Sequence, residues 1–208
     1  MMSLSDKKEI WRGMPQETPE QQLWADNYYD AELMPMAQER FRGHYAAEKR
    51  DYYGLFLLMG PLWELSTFTV ALFEPQNVHI FCRKEQALQV KLLQQNLGLD
   101  DGSLCCTYIQ GEDIPSLYRV MKKQHDIWDS VGRTAIDITG GSSLAAPAAA
   151  MAAACLDIDV YRIESQYLKE FHHHDPGTER LCRIPAVSDV ISPVSYTHLR
   201  AHETLANL

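Results

Sequence analysis

Short unbroken apolar runs alternate along this chain with longer stretches in which apolar residues recur at helical spacing. "YYGLFLLMG" (52–60) has no polar interruption, the pattern of a strand buried on both faces. "PLWELSTFTVALFEP" (61–75) predicts a helix opened by Pro61 and closed by Pro75. "NVHIFC" (77–82) predicts a second strand, and "KEQALQVKLLQQNLGL" (84–99) an amphipathic helix. In that helix Leu88, Leu92 and Leu93 are expected inward, with Gly98 as its stop. "SLCCTYI" (103–109), "TAIDIT" (134–139) and "DIDVYRI" (157–163) give three further strands. They are separated by a helix over 113–128 and by an alanine-rich helix whose first turn spans about Ser143 to Pro147.

Five strands alternating with four helices predict right-handed crossovers, hence a mostly parallel sheet. The fold class is therefore α/β: a Rossmann-like, mostly parallel sheet of five or more strands with helices on both faces. A short helical segment precedes it, since "PEQQLWADNYYDAELMPMAQERFRGHYAAEKR" (19–50) is polar and aromatic and is interrupted by Pro35. The chain divides into an N-terminal helical extension (1–50), the Rossmann domain (51–191) and a tail (192–208). The tail contains "VSYTHLRAHET" and resembles read-through of a vector or adapter, so it is set aside. A foreign tail would leave room for an effector domain beyond this chain.

Composition narrows the class. In 208 residues, 46% are hydrophobic, enough for a core of ordinary size. No apolar run reaches the roughly 18 residues of a membrane span, and the N-terminus has no signal-peptide core. Five cysteines without C-x-x-C spacing, most of them in apolar segments, predict reduced thiols and a cytoplasmic protein. The net charge of −9 argues against broad binding to long nucleic acid or anionic lipid. A small anion remains compatible, since backbone N–H groups and one or two cations hold a phosphate locally.

Open parallel sheets bind ligands beyond the carboxyl ends of their strands, which directs attention to loops 59–64, 82–85, 110–113 and 139–144. In "TGGSSL" (139–144), Gly140 and Gly141 permit positive φ and close approach to their amides, and Ser142 or Ser143 can cap the next helix. The loop is either an anion floor or a tight turn. Trp63 in "MGPLWE" (59–64) either stacks on a base or packs inside. Arg83 and Lys84 are phosphate cations or a solvated pair. In "QGED" (110–113), Gln110 and Gly111 could read a base edge, or Glu112 or Asp113 caps a helix. G-x-G-x-x-G, G-x-x-x-x-G-K-[ST] and G-x-S-x-G do not occur, so no dinucleotide fingerprint, P-loop or nucleophile elbow is present, and no catalytic residue is assigned. "HHHDPG" (172–177) does not predict a metal site, because three successive histidines on a regular element cannot all face one ion. No cofactor is implied.

"AIDITGGSSLAAPAAAMAAA" resembles the D-x-T-G-G-T-K-x-M-x-x-A segment of CARF domains, the Rossmann-like sensors of type III CRISPR antiviral defence. "LLMGPLWELSTFTVALFEPQNVHIFCRK" is similar to their other signature, and the resemblance spans about residues 52–165. It implies a homodimer that binds a cyclic oligoadenylate of four or six nucleotides across its two-fold axis and so regulates an effector, commonly a nuclease. By position, Thr139, Gly140, Gly141, Ser142 and Ser143 would contact the phosphate-ribose ring, and Gly60, Pro61, Leu62 and Trp63 adenine. Arg83 and Lys84 would add cations. Ser142-Ser143 stands where the family has Thr-Lys, so the loop lacks its cation. A metal-independent ring nuclease that cleaves the same ligand is an alternative, as is an unrelated Rossmann-like nucleotide enzyme.

Overall fold

The computed structural model describes residues 2–61, 63–110, 113–186 and 189. The tail and Leu62, Gly111 and Glu112 lie outside these. Six strands form one sheet: β1 (Gly54–Leu58), β2 (Asn77–Cys82), β3 (Leu104–Tyr108), β4 (Thr134–Asp137), β5 (Asp159–Glu164) and, further on, β8 (Arg180–Ile184). Their order is β3-β2-β1-β4-β5-β8, parallel except for β8, which runs antiparallel to β5. A separate hairpin joins β6 (Tyr167–Leu168) to β7 (His173–His174). The doubly wound α/β class is therefore as expected. The two additions after residue 164 are too short or too half-exposed to leave a strand pattern.

The order places β1 and β4 side by side, with Leu57 between Ile80 of β2 and Asp137 of β4. The chain leaves β1 towards one edge of the sheet and β4 towards the other. The carboxyl ends of these two strands are thus the topological switch point, where such sheets open a crevice.

Helices cover both faces. α4 (Ser66–Phe73) and α5 (Ala87–Leu97) share one face with three N-terminal helices, α1 (Leu4–Arg12), α2 (Pro19–Tyr28) and α3 (Met34–His44). α6 (Ile114–Trp128) and α7 (Ala145–Cys155) cover the other. Small residues let parts lie close here. A Cβ on Gly54 would stand 2.0 Å from Cε3 of Trp128, so the glycine lets that indole pack directly on the β1 backbone.

Several elements depart from the sequence pattern. The helix expected from Pro61 starts at Ser66, which leaves a longer loop after β1. α4 is buried almost all round, Thr67 and Thr69 included, so it carries no amphipathic period from which a start could be read. In α5, Leu93 is inward as expected, but Leu88 and Leu92 are 66% and 37% exposed. Val90, Leu93 and Leu97, spaced three and four apart, make the stripe that meets the core. α7 begins at Ala145, two residues after the expected start. Gly98 ends α5 at φ 61°, and Asp113 caps α6 by accepting from the Ser116 N–H at 3.1 Å. All five cysteines are free thiols, but only Cys82 is buried.

The N-terminal helices belong to the core. Trp11, Tyr29, Leu33, Met34 and Phe41 are all buried in the cluster that contains Leu55, Leu57 and Ile80. α1, unforeseen, is set by a capping box between Ser3 and Asp6. Pro35 does not end the helical run. A π turn (Tyr29–Leu33) links α2 to α3 and places Pro35 in the first turn of α3, where its missing N–H is harmless.

That π turn holds the β6–β7 hairpin. The Tyr29 ring stacks on His173 at 4.2 Å, and its hydroxyl donates to the His174 carbonyl at 3.0 Å. His173 Nε2 lies 2.9 Å from Asp26 and its Nδ1 3.6 Å from Glu64. Burial works against a charge on this ring, but Glu64 and Asp26 outweigh it and hold the imidazole above its ordinary value. Burial, with Glu64 next, pushes Asp30 up to about 6. Both groups are raised on folding, so both stabilise docking fully at low pH and lose that contribution as pH rises through their folded values. Hydrogen exchange in α1 and α2, corrected for intrinsic rates, should show weaker protection at about pH 8 than at about pH 5.5. His173→Gln should flatten part of that difference; an unchanged profile would remove the histidine from the account.

Candidate functional site

The site is built where the loops after β1 and β4 meet. A Cβ on Gly140 would lie 2.1 Å from the Gly60 nitrogen and 2.3 Å from the Leu58 carbonyl oxygen. A Cβ on Gly60 would in turn lie 2.8 Å from the Gly140 Cα. The two backbones therefore touch directly. Neither Gly140 nor Gly141 uses the left-handed conformation that a glycine permits. Glycine is needed at 140 for close approach between two protein loops, not for the turn.

The β4 loop is held from beneath by Asp137, which is fully buried. Its carboxylate accepts from the Thr69 hydroxyl at 2.6 Å, from the Thr139 N–H at 2.7 Å and from the Thr139 hydroxyl. The Thr139 oxygen accepts in turn from the Ile163 N–H at 2.8 Å, which ties the loop to β5. Burial pushes the Asp137 carboxyl up to about 6, against the hydrogen bonds from Thr139 and Thr69 that favour its charged form. The β1 loop is held from the side by Gln86, whose Nε2 donates to the Gly60 carbonyl at 2.8 Å. Gln86 was missed in the sequence, and an amide two residues into a polar helix start carries no signal of this role.

The meeting of the loops divides the carboxyl end of the sheet into two hollows. The larger, of about 920 Å³, has Gly60, Pro61, Thr139, Gly140 and Gly141 as its floor. The ends of β5 and β8 and the β6–β7 hairpin form its far wall, including Arg162, Tyr167, His174 and Arg180. The smaller, of about 260 Å³, lies towards β2 and is lined by Arg83, Gln86, Asp113 and Ser142 beside the same glycines.

The proposed residues separate accordingly. Gly60, Pro61, Gly140 and Gly141 border both hollows, Thr139 the larger, and Arg83 and Ser142 the smaller. The Ser142 hydroxyl accepts from the Ala145 N–H at 3.1 Å, so it caps the start of α7. Lys84 and Ser143 are exposed and border neither hollow. Trp63 is 7% exposed and packs into the core beside Leu65 and Phe68, so the packed alternative describes it and its ring presents no open face. Leu62 lies outside the described residues, as do Gly111 and Glu112 of the β3 loop. The three histidines take three environments: His172 is exposed at φ 54°, His173 is clamped by the N-terminal helices, and His174 borders the larger cleft. Arg162, Tyr167 and Arg180 were not singled out in the sequence, because their approach to the loops depends on the hairpin and on β8.

No protein-family model matches this chain, and no curated protein matches it in sequence. Among the described residues, no helix is long and apolar enough to cross a membrane.

Proposed function

We propose that this chain is a sensor domain that binds a cyclic oligoadenylate across a homodimer and thereby regulates an effector in type III CRISPR antiviral defence. The observation that carries the reading is the backbone contact between Gly60 and Gly140 at the switch point of the sheet. It brings the two loops that resemble the CARF signatures into one floor beneath a cleft of about 920 Å³. A cleft of that size takes more than a single phosphate and lies in the range of small-molecule sites. One cation at the cleft, Arg162, is left over from the Arg180–Glu164 pair and suits an anionic ligand even though the whole chain is acidic, since local charge decides the contact. A two-fold dimer would repeat each loop about the axis of a ring whose own symmetry is compatible with it.

The geometry favours holding the ring over cutting it. Cleavage by this chain would call on Ser142, Ser143, Arg83 or Lys84 to orient a ribose hydroxyl and stabilise charge at the phosphate. Ser142 is engaged as a cap, Ser143 and Lys84 stand outside both hollows, and Arg83 borders only the smaller one, away from the floor of the larger cleft. Isothermal titration of the protein with cyclic tetra-adenylate and cyclic hexa-adenylate tests the function, with light scattering to establish the oligomer. Binding of one of the two at one ring per two chains is the expected result. A dimeric sample that gives no heat with either ring refutes the sensor reading.

A further inference from the structure

Two contacts that a nucleotide ligand calls for are missing from the loops that the sequence brings forward. Trp63 is buried, so the β1 loop offers no aromatic face. Ser142-Ser143 follows the glycines, so the β4 loop offers no cation. The opposite wall of the same cleft carries both.

Arg162 extends from β5 on the sheet face that it shares with Glu164 and, across the antiparallel pair, with Arg180. Arg180 Nη2 pairs with Glu164 at 3.0 Å, so those two charges are spent on each other. Arg162 borders the cleft, is exposed, and has no ion-pair partner among the described residues. Its planar fork suits two oxygens of a phosphodiester.

Tyr167 opens β6 and also borders the cleft. It is 43% exposed. The ring is not loose. His174 meets it edge-on at 5.4 Å, and the His174 carbonyl is held by the Tyr29 hydroxyl. A supported aromatic ring open to a cleft is the platform on which a base stacks.

We propose that the β5–β6 wall is a nucleotide subsite, in which Arg162 takes a phosphodiester and Tyr167 stacks on the adjoining base. This deepens the sensor reading and rests on it: the loops form the floor, and this wall supplies the cation and the aromatic face that they lack.

The test is titration of wild type, Arg162→Ala, Arg162→Lys, Tyr167→Ala and Tyr167→Phe with labelled cyclic tetra- and hexa-adenylate at several salt concentrations. Melting curves first establish that each variant is folded, which the exposure of both side chains favours. Tyr167→Ala should weaken binding about tenfold or more with an unchanged salt dependence, while Tyr167→Phe should retain affinity. Arg162→Ala should weaken binding and lower the slope of log affinity against log salt by about one, with Arg162→Lys recovering the slope. If wild type binds a ring and either alanine variant binds like wild type, the subsite as stated is wrong and the sensor function stands. If wild type binds neither ring, the sensor function fails and takes the subsite with it.

Discussion

Gly140→Ala is expected to destabilise the protein by more than about 3 kcal/mol, above the usual range for adding one methyl to a packed interior. The reason is what the new Cβ would meet. Its nearest atoms are the Gly60 nitrogen at 2.1 Å, the Leu58 oxygen at 2.3 Å and the Met59 carbonyl carbon at 2.7 Å, all backbone at the end of β1. No rotamer can relieve such a contact, so the two loops must part. Gly141→Ala is the informative comparison. There the Cβ would meet Leu58 Cδ1 at 2.7 Å, which can turn aside. It would also meet Ala146 at 2.8 Å (Cβ) and 3.0 Å (Cα), which only a small shift of the start of α7 relieves, so the cost falls between those at Gly140 and Gly43. Gly43→Ala lies in α3 with nothing within 4 Å, and should stabilise by roughly 0.5–1 kcal/mol. Urea unfolding of the three variants should rank them in that order. Gly140→Ala falling within about 0.5 kcal/mol of wild type would show that the loops do not touch in solution.

Asp137→Ala is expected to cost about 2–5 kcal/mol, because it removes the acceptor of the buried Thr69 hydroxyl and of the half-buried Thr139 N–H, at about 1–3 kcal/mol for each group left unpaired. Asp137→Asn separates the charge from the shape. With its carboxyl raised to about 6 from 3.8, wild-type Asp137 binds a proton more readily folded than unfolded. Its contribution is therefore fully present below about pH 4 and is lost as pH rises through about 6. Asp30 gives wild type a slope of the same sign, so the difference between wild type and Asp137→Asn isolates the buried group. Urea midpoints between about pH 4 and 7 should fall more steeply for wild type. Parallel curves would mean that the carboxylate is better satisfied than its burial implies.

The sequence showed the floor of the site but not its walls, for a physical reason. Strands buried on both faces and glycines at strand ends leave local marks, so β1, β2, β4 and "TGG" could be read directly. Asp113 and Gly98 mark helix ends for equally local reasons. The wall is made by pairings across long separations. Arg162 and Tyr167 border the cleft only because β8 returns antiparallel to β5 and the hairpin is pinned from behind. Trp63 shows a choice that the sequence left open between a ligand and the core. Its position in a loop after a strand suggested a ligand, but α4 starts late, and the intervening segment turns the indole into the core.

Asp175 lies just after β7 and is bound by Arg12 of α1 at 3.2 Å across a separation of 163 residues. His173 and Asp26 are nearly as remote in sequence. This has a consequence for synthesis. α1 and α2 leave the ribosome before the sheet does, yet what they clasp is made near the end of the described residues. A helix as short as the nine residues of α1 is marginal alone in water. Trp11 lacks its ring partner Phe171, and the Tyr29 that follows α2 lacks His173, until that late segment has been made. The clasp therefore closes late, and until it does the far wall of the cleft has no backing.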